Sequence, residues 1–302
     1  MYFEEVLKEF LFECKMRKLS ERTITSYRNN NSSLFRYITT EFNIAEVEEV
    51  NHKVLQAYIS YLSDKGLKES YVNGLIKCFR AFFTYCVNER YILHNSIDKV
   101  RSQKAPITII NTFNDLEVRQ MIAYYHGSKY LDIRNKFIMV LLFDGGIRCS
   151  ELCDLKMSDI RQTYLNINGK GKKIRHVPIT PTINKYLLKY ERVREQYIKD
   201  KVNYDTDYLL LSQKGRKLTV VAVERIIKIA GTACNIRYEI RISPHTARHF
   251  YAQAQLKNGC DLYTLSRLLG HARIDVTKIY LQSIQSEEAV MIGAKTSPLS
   301  CL

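Results

Sequence analysis

The chain has 302 residues, 46% of them apolar and 25% charged, which suits more than one hydrophobic core of an ordinary globular protein. No apolar run is long enough to span a bilayer, and the acidic, amphipathic start MYFEEVLKEF is unlike a signal peptide, so no membrane partner and a cytoplasmic location are expected. Net charge is +15 and uneven: residues 1–105 carry 16 Lys/Arg against 13 Asp/Glu, and residues 106–302 carry 30 against 18, which points to a polyanionic partner.

In chain order, residues Tyr2 to Leu19 place Phe3, Val6, Leu7, Phe10, Leu11 and Cys14 at helical spacing. Ser20 is a plausible N-cap for a second helix from Glu21 to about Phe42. A third runs from about Lys53 to Asp64 and stops at Gly66, and a fourth covers Glu69 to Arg90 with Leu75, Ile76, Phe79, Phe82, Phe83 and Cys86 as its stripe. Four helices with short links predict a bundle over residues 1–97. Asp98 to Asn111 is polar and basic, then extended around Pro106, and reads as an inter-domain linker. Residues 112–302 form the second domain. Helices are expected at Asn114 to Tyr125 and Leu131 to Leu142, then a hairpin from Thr163–Asn168 and Ile174–Ile179 around a Gly169-Lys170-Gly171-Lys172 turn. Further helices follow at Asn184 to Val202, Thr219 to Ala230, His245 to Lys257 and Asp261 to Leu269. The fold class is mainly α with one small β-hairpin.

Four segments carry candidate chemistry. In Ser243-Pro244-His245-Thr246-Ala247-Arg248-His249, Ser243 suits an N-cap and Pro244 the first helical position. His245 and Arg248 then share the first turn, where free N–H groups and the helix dipole already favour an anion. In Gly145-Gly146-Ile147-Arg148-Cys149-Ser150-Glu151-Leu152, the i,i+3 spacing lets Glu151 hold Arg148. Lys170 on its glycine-flanked turn is a deliverable ammonium. Leu268-Leu269-Gly270-His271 precedes Tyr280 by nine positions at His271. Metal chemistry is not expected: the eight cysteines form no CxxC pair, Cys149 and Cys153 lack zinc-ligand partners at usual spacing, and His245/His249 lack the glutamate of a zinc-protease helix.

Together these residues resemble the tyrosine recombinase (phage integrase) family, in an Xer-like or transposon-borne form. The family pattern is an Arg in G-[IL]-R-x-S-E-L, a hairpin Lys, H-x-x-R, L-L-G-H and a Tyr shortly after. Leu19-Ser20-Glu21-Arg22-Thr23 with Ser26-Tyr27-Arg28 looks like its SAM-like core-binding domain. Cys149, where an aliphatic residue or proline is commoner, and Phe250-Tyr251 depart from the pattern. The choice of Lys170 over Lys172 and Lys173 rests on the resemblance, and no arm-binding domain is expected ahead of the core-binding helices.

The resemblance implies a SAM-like DNA-binding domain, a catalytic domain and a metal- and cofactor-free exchange of DNA strands through a 3′-phosphotyrosyl bond. It assigns Arg148, Lys170, His245, Arg248, His271 and Tyr280 as catalytic, with Glu151 supporting them. Arg148 and Arg248 are expected to lower the phenol's barrier to ionisation, and His245 to be its proton acceptor or hydrogen-bond partner. Double-stranded DNA is the implied partner, bound by a homo- or hetero-tetramer in the synapse, with Glu287 to Ile292 docking on a neighbour. The alternatives are a type IB topoisomerase-like enzyme and a catalytically inactive DNA-binding protein on this scaffold.

Overall fold

Helix-capping residues and buried aromatic side chains shape the first unit of the chain. The computed structural model describes residues 1–106, 110–169, 174–199, 204–271 and 273–281, and the chain divides into two compact units, Met1–Ile107 and Thr108–Leu302.

In the first unit, helices α1 (Phe3–Met16), α2 (Glu21–Phe42), α3 (His52–Asp64) and α4 (Glu69–Asn88) enclose one apolar core. Ser20 Oγ accepts the Thr23 N–H at 3.2 Å, and Asn51 Oδ1 accepts those of Lys53 and Val54 at 2.9 and 3.2 Å, satisfying donors that a helix start leaves free. Helix α1 stops at Met16, short of Leu19, because Lys18 turns to φ +55°. Phe3 stacks on Phe35 at 4.3 Å, while Phe82 meets Phe10 and Phe35 edge-on at 5.6 and 5.1 Å. Two 3-10 turns, Val47–Glu49 and Ser96–Lys99, are too short for periodicity to reveal. Beyond them Val100 is buried in the same core, and Gln103 exchanges two hydrogen bonds with Asn73, at 2.8 and 2.9 Å.

In the second unit the order is α5 (Asp115–Tyr124), α6 (Tyr130–Asp144), α7 (Cys149–Asp154), β1 (Tyr164–Asn168), β2 (Ile174–Pro178), α8 (Pro181–Ile198), α9 (Val220–Ala233), α10 (Pro244–Lys257), α11 (Leu262–Leu269) and α12 (Asp275–Lys278). Helix α6 is the central post: Phe137 through Phe143 are all buried, as befits a helix apolar all round, and α5, α8, α9 and α10 pack on it. The hairpin is antiparallel, pairing Leu165 with Val177 and Ile167 with Arg175. Its inward face is therefore Leu165, Ile167, Arg175 and Val177, with an arginine among the aliphatics.

The architecture is mainly helical with one two-stranded sheet among the described residues, as the sequence predicts. Helix α8 begins at Pro181 rather than Asn184, because Thr180 Oγ1 accepts the Ile183 N–H at 3.1 Å and Pro181 fills the first position. Its expected end, Val202, lies outside the described residues. Helix α12, four residues long, leaves no periodic signal. Among the described residues no helix is long and apolar enough to cross a membrane.

Candidate active site

Three arginines from separate stretches of the second unit converge on the end of α11. Asp261 Oδ1 caps the start of this helix through the Thr264 N–H at 2.9 Å, and Gly270 ends it in the left-handed region at φ +64°. The last carbonyls of a helix have no donor inside the helix and carry its negative dipole end. Here Leu268 O accepts from Arg175 Nε at 2.9 Å, Leu269 O from Arg248 Nη2 at 2.5 Å, and Gly270 O from Arg148 Nη2 at 3.4 Å. Arg175 comes from β2, Arg248 from α10, and Arg148 stands immediately before α7.

Glu151, buried on α7, ties two of them together. Its Oε1 accepts from Arg148 Nη1 at 2.8 Å, and its Oε2 accepts from Arg175 Nη2 at 2.7 Å and from the Arg148 backbone N–H at 3.1 Å. Burial alone would raise the Glu151 carboxyl, but the hydrogen bonds and charges of Arg175 and Arg148 outweigh it and hold the group below the usual carboxylate range. Three guanidiniums around one carboxylate leave an excess of positive charge, which is the electrostatic requirement of an oxyanion site.

Arg248 is the most enclosed member at 4% exposure, and its Nη1 donates to Gly146 O at 2.6 Å. Gly146 sits at φ +56° against the Tyr251 ring, so a Cβ here would be both strained and in collision. Burial, reinforced by Arg148 and Arg175, pulls Arg248 down to about 9, which still leaves it cationic at neutral pH.

The histidines follow the same frame. Ser243 Oγ accepts the Thr246 N–H at 3.2 Å and Pro244 opens α10, so His245, Arg248 and His249 occupy its first turns. The His245 and His249 rings meet edge-on at 4.1 Å. His245 is exposed; desolvation and the charges of Arg248, Arg241 and Arg148 lower its pKa, with water screening the effect. His271 lies between Arg248 Nη2, 3.3 Å from its Nε2, and Thr277 Oγ1, 2.8 Å from its Nδ1. Since an arginine only donates, Nε2 is the acceptor there and Nδ1 carries the proton. Burial and then Arg248, Arg148 and Arg175 push His271 down to about 4; burial, His245 and Arg248 push His249 to about 4.

Tyr280 lies just beyond α12, packed among Tyr251, Ala252, Leu256, Leu265 and Leu269 at 2% exposure. Its hydroxyl meets His249 Nδ1 at 3.0 Å. Burial raises the phenol's pKa on balance, while Arg248 and Arg148 pull it down as expected. One expectation needs correction. The histidine hydrogen-bonded to the phenol is His249, one helical turn beyond His245.

Arg148, Glu151, Arg248 and His271 thus share one frame, with Tyr280 and His245 on either side of His249. Lys170, with Lys172 and Lys173, lies outside the described residues, as does Glu287 to Ile292. Sequence reasoning passed over Arg175 and His249. The signal for Arg175 was its inward position in an alternating strand, where a cation needs a partner. That for His249 was its i,i+4 relation to His245, weighed only as a metal pair.

A model of the Phage integrase family matches residues 112–287, and a model of the Phage integrase SAM-like domain matches residues 2–102. Tyrosine recombinase XerD of Staphylococcus aureus is 28% identical over 288 residues, covering 94% of this chain and 96% of that protein. The XerH site-specific recombinase, solved bound to a palindromic difH substrate as a post-cleavage complex, has a TM-score of 0.74 at 18% identity, covering 98% of this chain and 95% of its own. A lambda integrase tetramer bound to a Holliday junction gives 0.69 at 18% identity, covering 90% and 78%. The structural likenesses speak for the fold and the family models for descent. By the family models the chain belongs to the phage integrase family of tyrosine recombinases.

Proposed function

We propose that this recombinase cleaves and rejoins duplex DNA at specific sites, with Tyr280 as nucleophile. The observation that carries the reading is the convergence of Arg148, Arg248 and His271 on one helix end, within the chain that also supplies the tyrosine. The Tyr280 oxygen attacks a backbone phosphorus and the 5′ oxygen leaves, forming a 3′-phosphotyrosyl ester. That ester conserves the bond energy, so rejoining to a new 5′-hydroxyl needs no nucleotide cofactor. Arg148 and Arg248 brace the non-bridging oxygens as charge grows on them, and His271 completes the cradle. Fixed guanidiniums supply the charge neutralisation that a metal would otherwise provide. Glu151 and Arg175 hold the frame. His245 lines the α10 N-terminus, where an anion is favoured, and Lys170 protonates the leaving 5′ oxygen.

Double-stranded DNA is the partner in this reading. The XerH complex with its DNA substrate supports that partner, and the lambda integrase tetramer on a Holliday junction supports a synapse of four protomers, homomeric or mixed. Residues 1–97 are the core-binding domain and 112–302 the catalytic one, joined by 98–111. Glu287 to Ile292 docks on a neighbouring protomer, so truncation after Ser283 weakens synapsis more than binding to a single site.

Tyr280→Phe tests the nucleophile. On a nicked suicide substrate the variant is expected to bind DNA normally and form no covalent adduct; an adduct would place the nucleophile elsewhere. Recombination confined to paired sites is expected with the wild type, whereas relaxation of plasmids lacking such sites marks a topoisomerase.

A further inference from the structure

We infer that His249 is a catalytic residue, the general base that accepts the Tyr280 phenol proton during strand cleavage. The inference rests on the reading of Tyr280 as nucleophile and adds a group to the set assigned from the sequence.

Geometry comes first. The 3.0 Å separation of His249 Nδ1 from the Tyr280 hydroxyl lies within the range for direct proton transfer. The imidazole is positioned by its helix, by the edge-on His245 ring at 4.1 Å and by the tilted Tyr280 ring at 5.5 Å. His249 follows Arg248 directly on α10, so one helix turn carries both a cation for the phosphate and an acceptor for the nucleophile's proton.

Charge state fits the task. Among the described residues, the titratable and charged groups acting on His249 are His245 and Arg248 on its own helix, with Tyr280 facing it from beyond α12. Burial, His245 and Arg248 disfavour the imidazolium, so the ring is neutral at physiological pH. A neutral ring protonated at Nε2 presents Nδ1 as an acceptor to the phenol. At rest the proton stays on the oxygen, whose own pKa is raised. Transfer becomes favourable only as the phosphorus–oxygen bond forms, because an aryl ester oxygen no longer holds a proton. The negative phosphate meanwhile offsets the Arg248 charge that opposes the imidazolium. The step balances: the phenol O–H breaks as the O–P bond forms, its proton goes to Nδ1, the P–O5′ bond breaks, and the 5′ oxygen takes a separate proton from Lys170. Religation returns the proton from Nδ1 to the tyrosine.

The test is single-turnover adduct formation on a suicide duplex by the full-length protein, with DNA affinity measured alongside. Asn at position 249 can offer the phenol a hydrogen bond near Nδ1 but cannot take its proton. His249→Ala and His249→Asn are both expected to slow adduct formation by on the order of 10²-fold, the usual contribution of a positioned base, at unchanged DNA affinity. A 5′-bridging phosphorothiolate substrate, whose leaving group needs no acid, is expected to rescue Lys170→Ala but neither His249 variant. Near wild-type cleavage by His249→Asn, or rescue of it by the phosphorothiolate, overturns the assignment. Unchanged DNA affinity, measured for each variant, guards against misfolding, and His249→Asn keeps the test decisive if the alanine variant fails to fold. An adduct formed by Tyr280→Phe undermines the nucleophile itself, a failure distinguishable from that of His249 alone.

Discussion

Arg148 and Arg248 carry the same functional group into the same frame, yet their environments predict different outcomes on substitution. The Arg148 side chain is 37% exposed and reaches Glu151 and Gly270 O from the rim. Replacing it with lysine removes the planar fork, while Arg175 still pairs with the buried Glu151 carboxylate. Arg148→Lys is therefore expected to slow adduct formation by about 10²-fold or more with little change in unfolding midpoint. Arg248 is enclosed and satisfies two carbonyls, Gly146 O and Leu269 O. Arg248→Ala is expected to abolish cleavage and also to destabilise the fold by roughly 1–3 kcal/mol for each carbonyl left unpaired, measurable by chemical denaturation. The histidines give the pH dependence. His249 and His271 titrate near 4 in the folded chain against an ordinary value of 6.5, so between those limits the unfolded chain binds more protons. Stability is then fully present above about 6.5 and falls as pH drops toward 4. Denaturation midpoints measured from pH 7.5 to 4.5 should fall accordingly, and His271→Gln should flatten the slope.

At the scale of the element, the left-handed glycine that ends α11 turns the chain while its carbonyl stays within reach of Arg148. Arg175's aliphatic stem lies where a Cβ on Gly270 would project. Gly270→Ala should cost about 1–2 kcal/mol for the left-handed backbone alone. Because it also displaces Arg175 from Glu151, cleavage should decline more than DNA affinity, which a single-turnover assay beside a binding titration resolves. Helix starts were legible where local chemistry writes them: Ser20 and Ser243 cap as predicted, and Thr219 and Asp261, read as first helical residues, are themselves the caps. Thr180-Pro181 carries the same signature and fixes an α8 start that apolar spacing alone puts three residues late. The grouping of the candidate site was legible only through its likeness to a family pattern. Spacing along one helix shows that Arg148 can meet Glu151, but not that Arg175, 24 residues on, meets the same carboxylate. Nor does it show that His249 rather than His245 reaches a tyrosine 31 residues away. Such contacts depend on packing between elements, which no local period encodes.

For the whole molecule, each unit has its own apolar core, one built around Phe10, Phe35 and Phe82 and the other around α6. Residues 1–105, expressed alone, are therefore expected to melt cooperatively in calorimetry; a broad, non-cooperative trace would show that this core depends on the rest of the chain. The basic excess should make DNA binding steeply salt-dependent, with log affinity falling linearly against log salt as counterions are released. A flat dependence would argue against phosphate contacts as the main source of affinity. The frame at α11 has a consequence for heating. One eight-residue helix supplies the anchor points for guanidiniums drawn from β2, α7's approach and α10. If that helix frays, each of the three loses one of its anchors at the same moment, before either core melts. Cleavage should accordingly vanish at a lower temperature than global unfolding, in step with the first protease cuts near residues 262–269.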